Sequence, residues 1–553
     1  MTRKTTLLLI FGFVLLAIIV STAWLRERKP VPLRISEETT FFTEPLTEDG
    51  SVDYAAALNL HFRKDTLPET NAVILLQRAV GPSEKVPNAY YDELGMEQLP
   101  EEGDYLRKLD REFLSEQGLD AEAIEQYLDD YGLRLSQPWR RADDPVMAVW
   151  IDLNERPLKL VHQAAVKNDY YSPLTWNKES PPGEHVLLLS ILNYQPENMG
   201  FISRTLRGRA MMRLGEGDED GAWSDLLACR RLGRLATRGP TVFDSMAGHR
   251  IDADTYSAML TLLKTSESDT ETLEDYRRAL SQLPPSTPII EILSHTERCH
   301  FLDAVCSIAS GKIDGQAIIG KEGRDKLLAA KLIDWNAALI RGNAYHDQII
   351  AAAMLSTHVK RCAATEKVFT PLKDNQSLEG PAFWRSPTSN GTAMGDLVAA
   401  LMLPAVTAFY QIETESNQRE ANLNLALALM KYRLDHESYP KKLRELSPEY
   451  IPEISKDLFS DTSLVYTSIN GGILLYSVGP NLRDDGGIED RPADQDDITV
   501  RFGETDATSS QTPEVENWHS SHMIRGQVGR PKLQEGWWRG RPRDGVLSPA
   551  RDL

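Results

Sequence analysis

The chain has few of the residues that usually identify a chemistry, beginning with cysteine. Its 553 residues contain four cysteines, and none of them forms a Cys-x-x-Cys pair. Cys299 and Cys306 are seven positions apart on one predicted helix, about 10 Å along its axis, which is too far for a disulfide. The cysteines therefore neither require nor exclude an oxidising compartment.

Catalytic motifs are missing as well. The sequence has no Gly-x-Ser-x-Gly elbow, no His-Glu-x-x-His and no P-loop. One partial set of zinc-ligand types remains, because His295, Cys299 and Asp303 recur at i, i+4 and i+8 on one predicted helix face, with His300 beside them. A half-buried polar helix face explains the same residues. The sequence thus favours a protein that is not an enzyme, with a metal-dependent hydrolase in the helical region as the alternative.

Positive charge is scarce relative to negative charge. The chain has 61 lysines and arginines against 81 acidic residues, which gives a formal charge of -20. An acidic surface repels phosphate backbones, so we expect no general nucleic-acid binding. The same surface suits cationic partners or calcium.

Long uncharged stretches are few. Residues 5–25 carry no charge and are flanked by basic residues: Arg3, Lys4, Arg26, Arg28 and Lys29. About 20 apolar helical residues span a bilayer, so this stretch predicts a membrane anchor. A signal peptide cleaved near Ser21-Thr22-Ala23 is the alternative. Residues 397–412 are also uncharged, but this stretch is short for a span and predicts a docked core helix, with a second membrane contact as the alternative.

Helical periodicity dominates most of the chain. Residues 207–235 predict a helical hairpin similar to one tetratricopeptide unit, but without further copies an irregular helical bundle is favoured. We expect a mainly α protein with these parts: an anchor or signal segment at 1–29, a tether at 30–50, a helical body at 51–365, a linker at 366–392, a small α+β domain at 393–502 and a disordered tail at 503–553. The body is also similar to uncharacterised membrane-anchored proteins of planctomycete-type bacteria.

The small domain is predicted from two periodicities. Leu423, Leu427, Met430 and Leu434 recur at i, i+4, i+7 and i+11, which gives a helix one apolar face that packs against a sheet. Three strands are expected to follow, near 464–467, 473–478 and 497–502, with Asn470-Gly471 as the turn between the first two. The fold class is therefore a helical bundle followed by a three-stranded antiparallel sheet.

An acidic loop lies between the second and third of these strands. Seven carboxylates fall within residues 484–497, and such crowding is repulsive unless a cation relieves it. Calcium takes six to eight oxygen ligands. The candidate ligands are Asn481, Asp484, Asp485, Asp496 and Asp497. A solvated acidic loop without an ion is the alternative.

The helix, the hairpin ending in Leu475-Tyr476-Ser477-Val478-Gly479-Pro480-Asn481 and the closing Asp497-Ile498 together resemble the globular half of a type II secretion pseudopilin of the G type. The resemblance implies a helix spine, a small antiparallel sheet and a calcium-stapled loop, in which Asp497 matches the closing aspartate and Asn481 stands where the family has an aspartate. It also implies a single-pass protein of the inner membrane with most of the chain outside the cytoplasm. An envelope protein partner, or a role as a calcium-stabilised secretion accessory, follows from it. The N-terminus lacks the Gly-Phe-Thr-Leu-Ile-Glu type of start that a pilin peptidase recognises, so pilus-type processing is not expected.

Overall fold

A computed structural model of the chain describes residues 31–176, 186–191, 195–316, 318, 320–321, 333–374, 386–403, 406–469, 471–487 and 496–503. The predicted anchor at 5–25 and, apart from Gly503, the predicted disordered tail lie outside these residues. Helices occupy most of the described chain: α1 Tyr54–Arg63, α2 Ala72–Val80, α3 Asn88–Leu94, α4 Arg111–Glu116, α5 Ala121–Asp130, α6 Pro145–Ala165, α7 Gln195–Gly215, α8 Glu219–Ala236, α9 Val242–Thr265, α10 Thr270–Ser281, α11 Ile289–Ile292, α12 Arg298–Ala309, α13 Trp335–Ala353, α14 His358–Asp374, α15 Pro387–Met402 and α16 Val406–His436.

Local sequence sets where many of these helices begin. A side-chain oxygen at the residue before the helix accepts a hydrogen bond from a backbone N–H of the first turn, which satisfies a donor that the helix leaves open. Capping of this kind is made by Asp53, Asn71, Asp110, Asp120, Asp144, Asp218, Thr241, Asp269, Asp334 and Ser386. The mainly helical prediction is confirmed.

The middle of the body is built on a close contact between α8 and α9. A Cβ placed on Gly248 would lie 2.5 Å from the carbonyl oxygen of Gly233, so only glycine permits this approach of the two backbones. Helices α7 and α8, joined by three residues, form the hairpin expected for 207–235. The likeness of this hairpin to a tetratricopeptide unit stays a prediction.

Within the described residues, buried apolar side chains form two core clusters. The smaller one, the second core cluster, surrounds Phe301 of α12 and Leu339 of α13. It includes Val398 and Tyr410, both fully buried, so part of the uncharged stretch at 397–412 packs inside the protein. Within the described residues, Pro387–His436 is the one helical stretch long and apolar enough to cross a membrane, and half of its most apolar window is buried in the fold.

The sheet follows α16 and consists of β1 Val465–Ile469, β2 Gly472–Ser477 and β3 Ile498–Phe502. The strands pair antiparallel in the order β1-β2-β3, with Val465 opposite Tyr476 and Leu475 opposite Val500. Two residues separate β1 from β2, as the turn prediction required, although Asn470 itself lies outside the described residues. The predicted three-stranded antiparallel sheet is confirmed.

The helix α16 covers the sheet through only part of its predicted stripe. Leu423 and Leu427 are 1% exposed and share one core cluster with Ile473 and Val500 of the sheet. Leu434 is 45% exposed, so its place in the buried stripe was predicted wrongly. The helix continues beyond Leu427 to His436, and its last residues are mostly exposed.

The sheet shares its core with the helical body instead of forming one of its own. The cluster that holds Ile473 and Val500 also holds Trp150 of α6 and Leu226 of α8. The hydroxyl of Tyr256 on α9 donates to the backbone oxygen of Thr499 at 3.0 Å. All described residues accordingly belong to one compact unit.

Two segments predicted as connectors have defined contacts or helical structure where they are described. The tether at 30–50 is described from residue 31, and it is fixed to α13, because Asn336 bonds the backbone of Pro32 and Arg34 and Asn343 bonds that of Glu38 and Thr39. Buried amide side chains thus take the place of solvent for this polar segment. The linker at 366–392 is helical wherever it is described, at its start in α14 and at its end in α15.

Candidate functional site

The acidic loop begins after β2 and ends at β3, and its two ends meet. A Cβ on Gly479, whose φ is +63°, would lie 2.2 Å from the backbone oxygen of Asp496. The carboxylate of Asp497 accepts hydrogen bonds from the backbone N–H groups of Asp485 at 3.1 Å and Gly487 at 2.8 Å. Residues 488–495, and with them Glu489, Asp490 and Asp494, lie outside the described part of the chain. The described part of the loop is therefore held together by its own hydrogen bonds.

The structure brings four of the five predicted calcium ligands together. The amide of Asn481 donates to Asp485 at 2.9 Å, and its backbone N–H donates to Asp496 at 3.4 Å. The carboxylate of Asp484 instead accepts from the Tyr476 hydroxyl at 2.8 Å. Three carboxylate oxygens within 4.8 Å of one another are not found among the described residues of this loop. An ion here would therefore depend on amide and backbone carbonyl oxygens as well.

The pKa of Asp496 reflects its burial and the crowding of acidic groups in the loop. Burial raises the pKa of Asp496 above its ordinary value, and the charges of Asp485 and Glu415 raise it further, while the hydrogen bond from Asn481 opposes them. A cation near Asp496 would relieve that repulsion.

The residues expected on one zinc-binding face occupy three different surroundings. His295 lies in a π-helical turn, Leu293–Glu297, and α12 begins only at Arg298. The wider turn breaks the i, i+4 alignment on which the prediction depended. Cys299 is fully buried in the second core cluster, which raises its pKa. Nδ1 of His300 is 3.3 Å from Glu297, and Asp303 accepts from the backbone of Leu188 at 2.8 Å. The structure therefore does not bring His295, Cys299, His300 and Asp303 together.

His295 instead meets two residues that the sequence prediction missed. His61, in the last turn of α1, places Nε2 at 3.1 Å from Oε1 of Glu291 on α11. The rings of His61 and His295 stack with their centroids 3.8 Å apart. One ligand atom from each of the three residues lies within 4.8 Å of the others. We call these three residues the His-Glu-His cluster.

The surroundings of the cluster fix His295 and favour its neutral form. Nδ1 of His295 is 3.0 Å from the backbone oxygen of Glu291 and 2.8 Å from Oγ of Ser294, and such contacts orient metal-binding histidines. Burial lowers the pKa of His295. The hydrogen bond from His61 lowers the pKa of Glu291 against the opposing effect of burial. Neutral imidazole and ionised carboxylate are the forms that bind metals.

The sequence held one signal for this cluster. Glu291 and His295 are four residues apart, the spacing that places two side chains on one helix face. His61 is 230 residues away from Glu291, on a helix with no pattern that pointed to it. The third member is therefore visible only in the folded chain.

Comparisons of the chain with models of protein families, with curated proteins and with solved structures gave no match.

Proposed function

We propose that this chain is a membrane-anchored envelope protein of structural or protein-interaction type. Residues 5–25 hold it in the inner membrane as a single span, and most of the chain lies outside the cytoplasm. The observation that carries this proposal is the uncharged segment at 5–25 between basic residues. The attachment of residues 32–39 to α13 then limits how far the body lies from that segment. At most 3.3–3.6 Å per residue separates Leu25 from Pro32, so the body sits within about 25 Å of the anchor's end.

This short connection supports a rigid placement rather than a free tether. A body fixed near the bilayer presents one side to neighbouring envelope proteins. The sheet and its acidic loop form the part that docks on a partner, and the excess of acidic residues suits a cationic surface on that partner.

Deletion of residues 5–25 tests the proposal. We expect the full chain in the membrane fraction of cells and the deletion variant in the soluble fraction, since no other segment of the body need enter the bilayer. Protease added to spheroplasts is expected to digest the body of the full chain. A variant lacking residues 504–553 is the control and should stay with the membrane. A deletion variant that remains fully membrane-bound, or a body protected in spheroplasts, would contradict the proposal.

Two metal-dependent roles are supported by specific observations. The crowded carboxylates around Asp496 favour a calcium-stabilised secretion accessory, as the pseudopilin resemblance implies. The His-Glu-His cluster favours a metal-dependent hydrolase of the helical body, because two histidines and one carboxylate are a ligand set of catalytic zinc. Zinc held in this way keeps one position for water and lowers the pKa of that water to near 7.

Elemental analysis of the purified full chain separates the two roles. We expect one zinc per chain, lost in His61→Ala and His295→Ala, if the cluster binds metal. We expect calcium binding that is lost in Asp497→Asn if the loop does. Each variant is the control for the other site, and His436→Ala, an exposed histidine on α16, controls for unspecific zinc binding. If zinc is retained in both histidine variants, the hydrolase proposal is contradicted. If calcium is retained in Asp497→Asn, the proposed calcium site in the loop is contradicted.

A further inference from the structure

A cavity of about 450 Å³ lies between α7 and α9, beside the turn at Tyr131–Leu135. Its volume is within the range of small-molecule sites, about 300–1,000 Å³. The cavity is far in sequence from the acidic loop, and none of its lining residues belongs to the His-Glu-His cluster. It therefore needs an explanation of its own.

Small residues open this cavity and arginines line it. On α7, Gly200 and Ser203 precede Arg204 and Arg207 at helical spacing, so the four residues share one side of the helix. On the facing side of α9, Ala247, Arg250 and Asp254 repeat the same order of small and charged residues. The short side chains leave the space of the cavity, and the charged side chains surround it.

The charges of the lining do not balance. Asp254 accepts from Arg207 at 3.1 Å and from Arg250 at 2.9 Å, so two guanidinium groups share one carboxylate. Arg204 adds a third guanidinium. Three positive charges against one negative leave the cavity at +2, in a chain whose formal charge is -20. Such a concentration of positive charge attracts an anion.

The guanidinium groups of the lining lie at different depths. The side chain of Arg207 is 9% exposed, whereas that of Arg250 is 78% exposed and lies at the rim. Within the described chain, Nε of Arg207 and Oγ of Ser203 are buried without a partner. Arg207 therefore supplies a largely buried guanidinium group at the cavity, and Arg250 supplies an exposed one.

Burial also lowers the pKa of Arg207, which Asp254 counteracts and Arg204 and Arg250 reinforce. An anion bound near Arg204, Arg207 and Arg250 would favour the charged form of Arg207, as Asp254 does.

We propose that this cavity binds the phosphate group of a small organic phosphate monoester. A phosphate monoester carries about −1.5 to −2 charges at pH 7, which matches the excess of the lining. Guanidinium groups donate to phosphate oxygens in pairs. The volume exceeds that of a phosphate group alone and leaves space for the organic part.

The test is calorimetric titration of the purified full chain at fixed ionic strength with glycerol 3-phosphate. Succinate tests whether a dicarboxylate serves equally, and dihexanoyl phosphatidic acid tests whether a lipid headgroup is the source of the phosphate. Arg204→Gln and Arg250→Gln each remove one rim charge, and we expect each to weaken binding about tenfold, the effect of one charge-assisted hydrogen bond. Asp254→Asn removes the competing carboxylate and is expected to strengthen binding.

The matched control is Arg156→Gln, which removes the same charge from an arginine that is 76% exposed and does not line the cavity. Its affinity should equal that of the unmodified chain. Saturable one-to-one binding with this order of variants supports the proposal. It is overturned if glycerol 3-phosphate does not bind at millimolar concentration, if the control weakens binding as much as Arg204→Gln, if succinate binds as tightly, or if only the lipid binds.

Discussion

Replacing Asp225 by alanine is expected to lower the free energy of unfolding by about 3–5 kcal/mol, which is the cost of removing one partner of a buried ion pair. Asp225 on α8 is fully buried and joins three helices. Its carboxylate accepts from Arg209 at 2.6 and 2.9 Å, from Arg213 at 3.0 Å and from His162 at 2.8 Å. Without the Asp225 carboxylate, the Arg209 side chain, which is 4% exposed, keeps Glu155 as its remaining ion-pair partner among the described residues.

Urea unfolding of Asp225→Ala measures this loss, and Asp152→Ala is the matched control. Asp152 forms two hydrogen bonds of 2.8 Å with Arg141, but both side chains are about half exposed. A pair of that kind contributes about 0–1 kcal/mol. Equal losses in the two variants would refute the role assigned to Asp225.

The contribution of Asp225 also depends on pH in a defined direction. Burial alone would raise its pKa, but hydrogen bonds from His162 and Arg209 and the charges of Arg209 and Arg213 hold the pKa below the ordinary value of 3.8. A group with a lowered pKa stabilises the fold above its unfolded pKa and loses that contribution as the pH falls through the folded one. The difference in stability between the unmodified chain and Asp225→Asn should therefore be constant near pH 7 and shrink below about pH 3.8.

Leu427→Ala is expected to cost about 2–5 kcal/mol, because it leaves a cavity between α16 and the sheet. Leu427 is 1% exposed and belongs to the core cluster that contains Ile473 and Val500. The change removes packing from a core that the sheet shares with α6 and α8. We therefore expect one cooperative loss of stability in thermal unfolding, and not the separate melting of a small domain.

The same helix supplies the control. Leu434 is seven residues further along the same sequence stripe and is 45% exposed. Surface substitutions usually change stability by no more than about 0.5 kcal/mol, so Leu434→Ala should leave the melting temperature nearly unchanged. If Leu434→Ala destabilises the protein as much as Leu427→Ala, the packing of α16 on the sheet is not as described.

Much of the fold was accessible from local sequence. The hairpin at 207–235, the apolar face around Leu427 and the three strands all follow from periodicity within each segment, and each is present. The contacts of other segments depend on remote partners. The tether has the composition of a solvated chain, and its partners in the body include Asn336 and Asn343 of α13, some 300 residues away, and Lys312, which pairs with Asp49 at 2.7 Å.

The candidate sites also differ in how much of their geometry the local sequence predicted. Asn481, Asp485, Asp496 and Asp497 come together because the pairing of Ser477 with Ile498 places the two ends of the connecting loop side by side. The zinc face around His295 was predicted from a regular helix, and a π turn shifted it. The interaction of His295 with His61 had no local signal, since those residues are brought together by the packing of α1 on α11 and the turn that follows it.

The sequence alone determined the types of the secondary-structure elements, the capped starts of the helices, the negative charge and the uncharged segment at 5–25, because each of these depends on residues close together in the chain. Tertiary structure decided which chemically equal residues are buried and which meet. Leu427 and Leu434 are identical in their local pattern, and Arg204 and Arg250 lie on different helices. Only the packing of distant segments, which periodicity does not encode, separates the first pair and brings the second pair to one cavity.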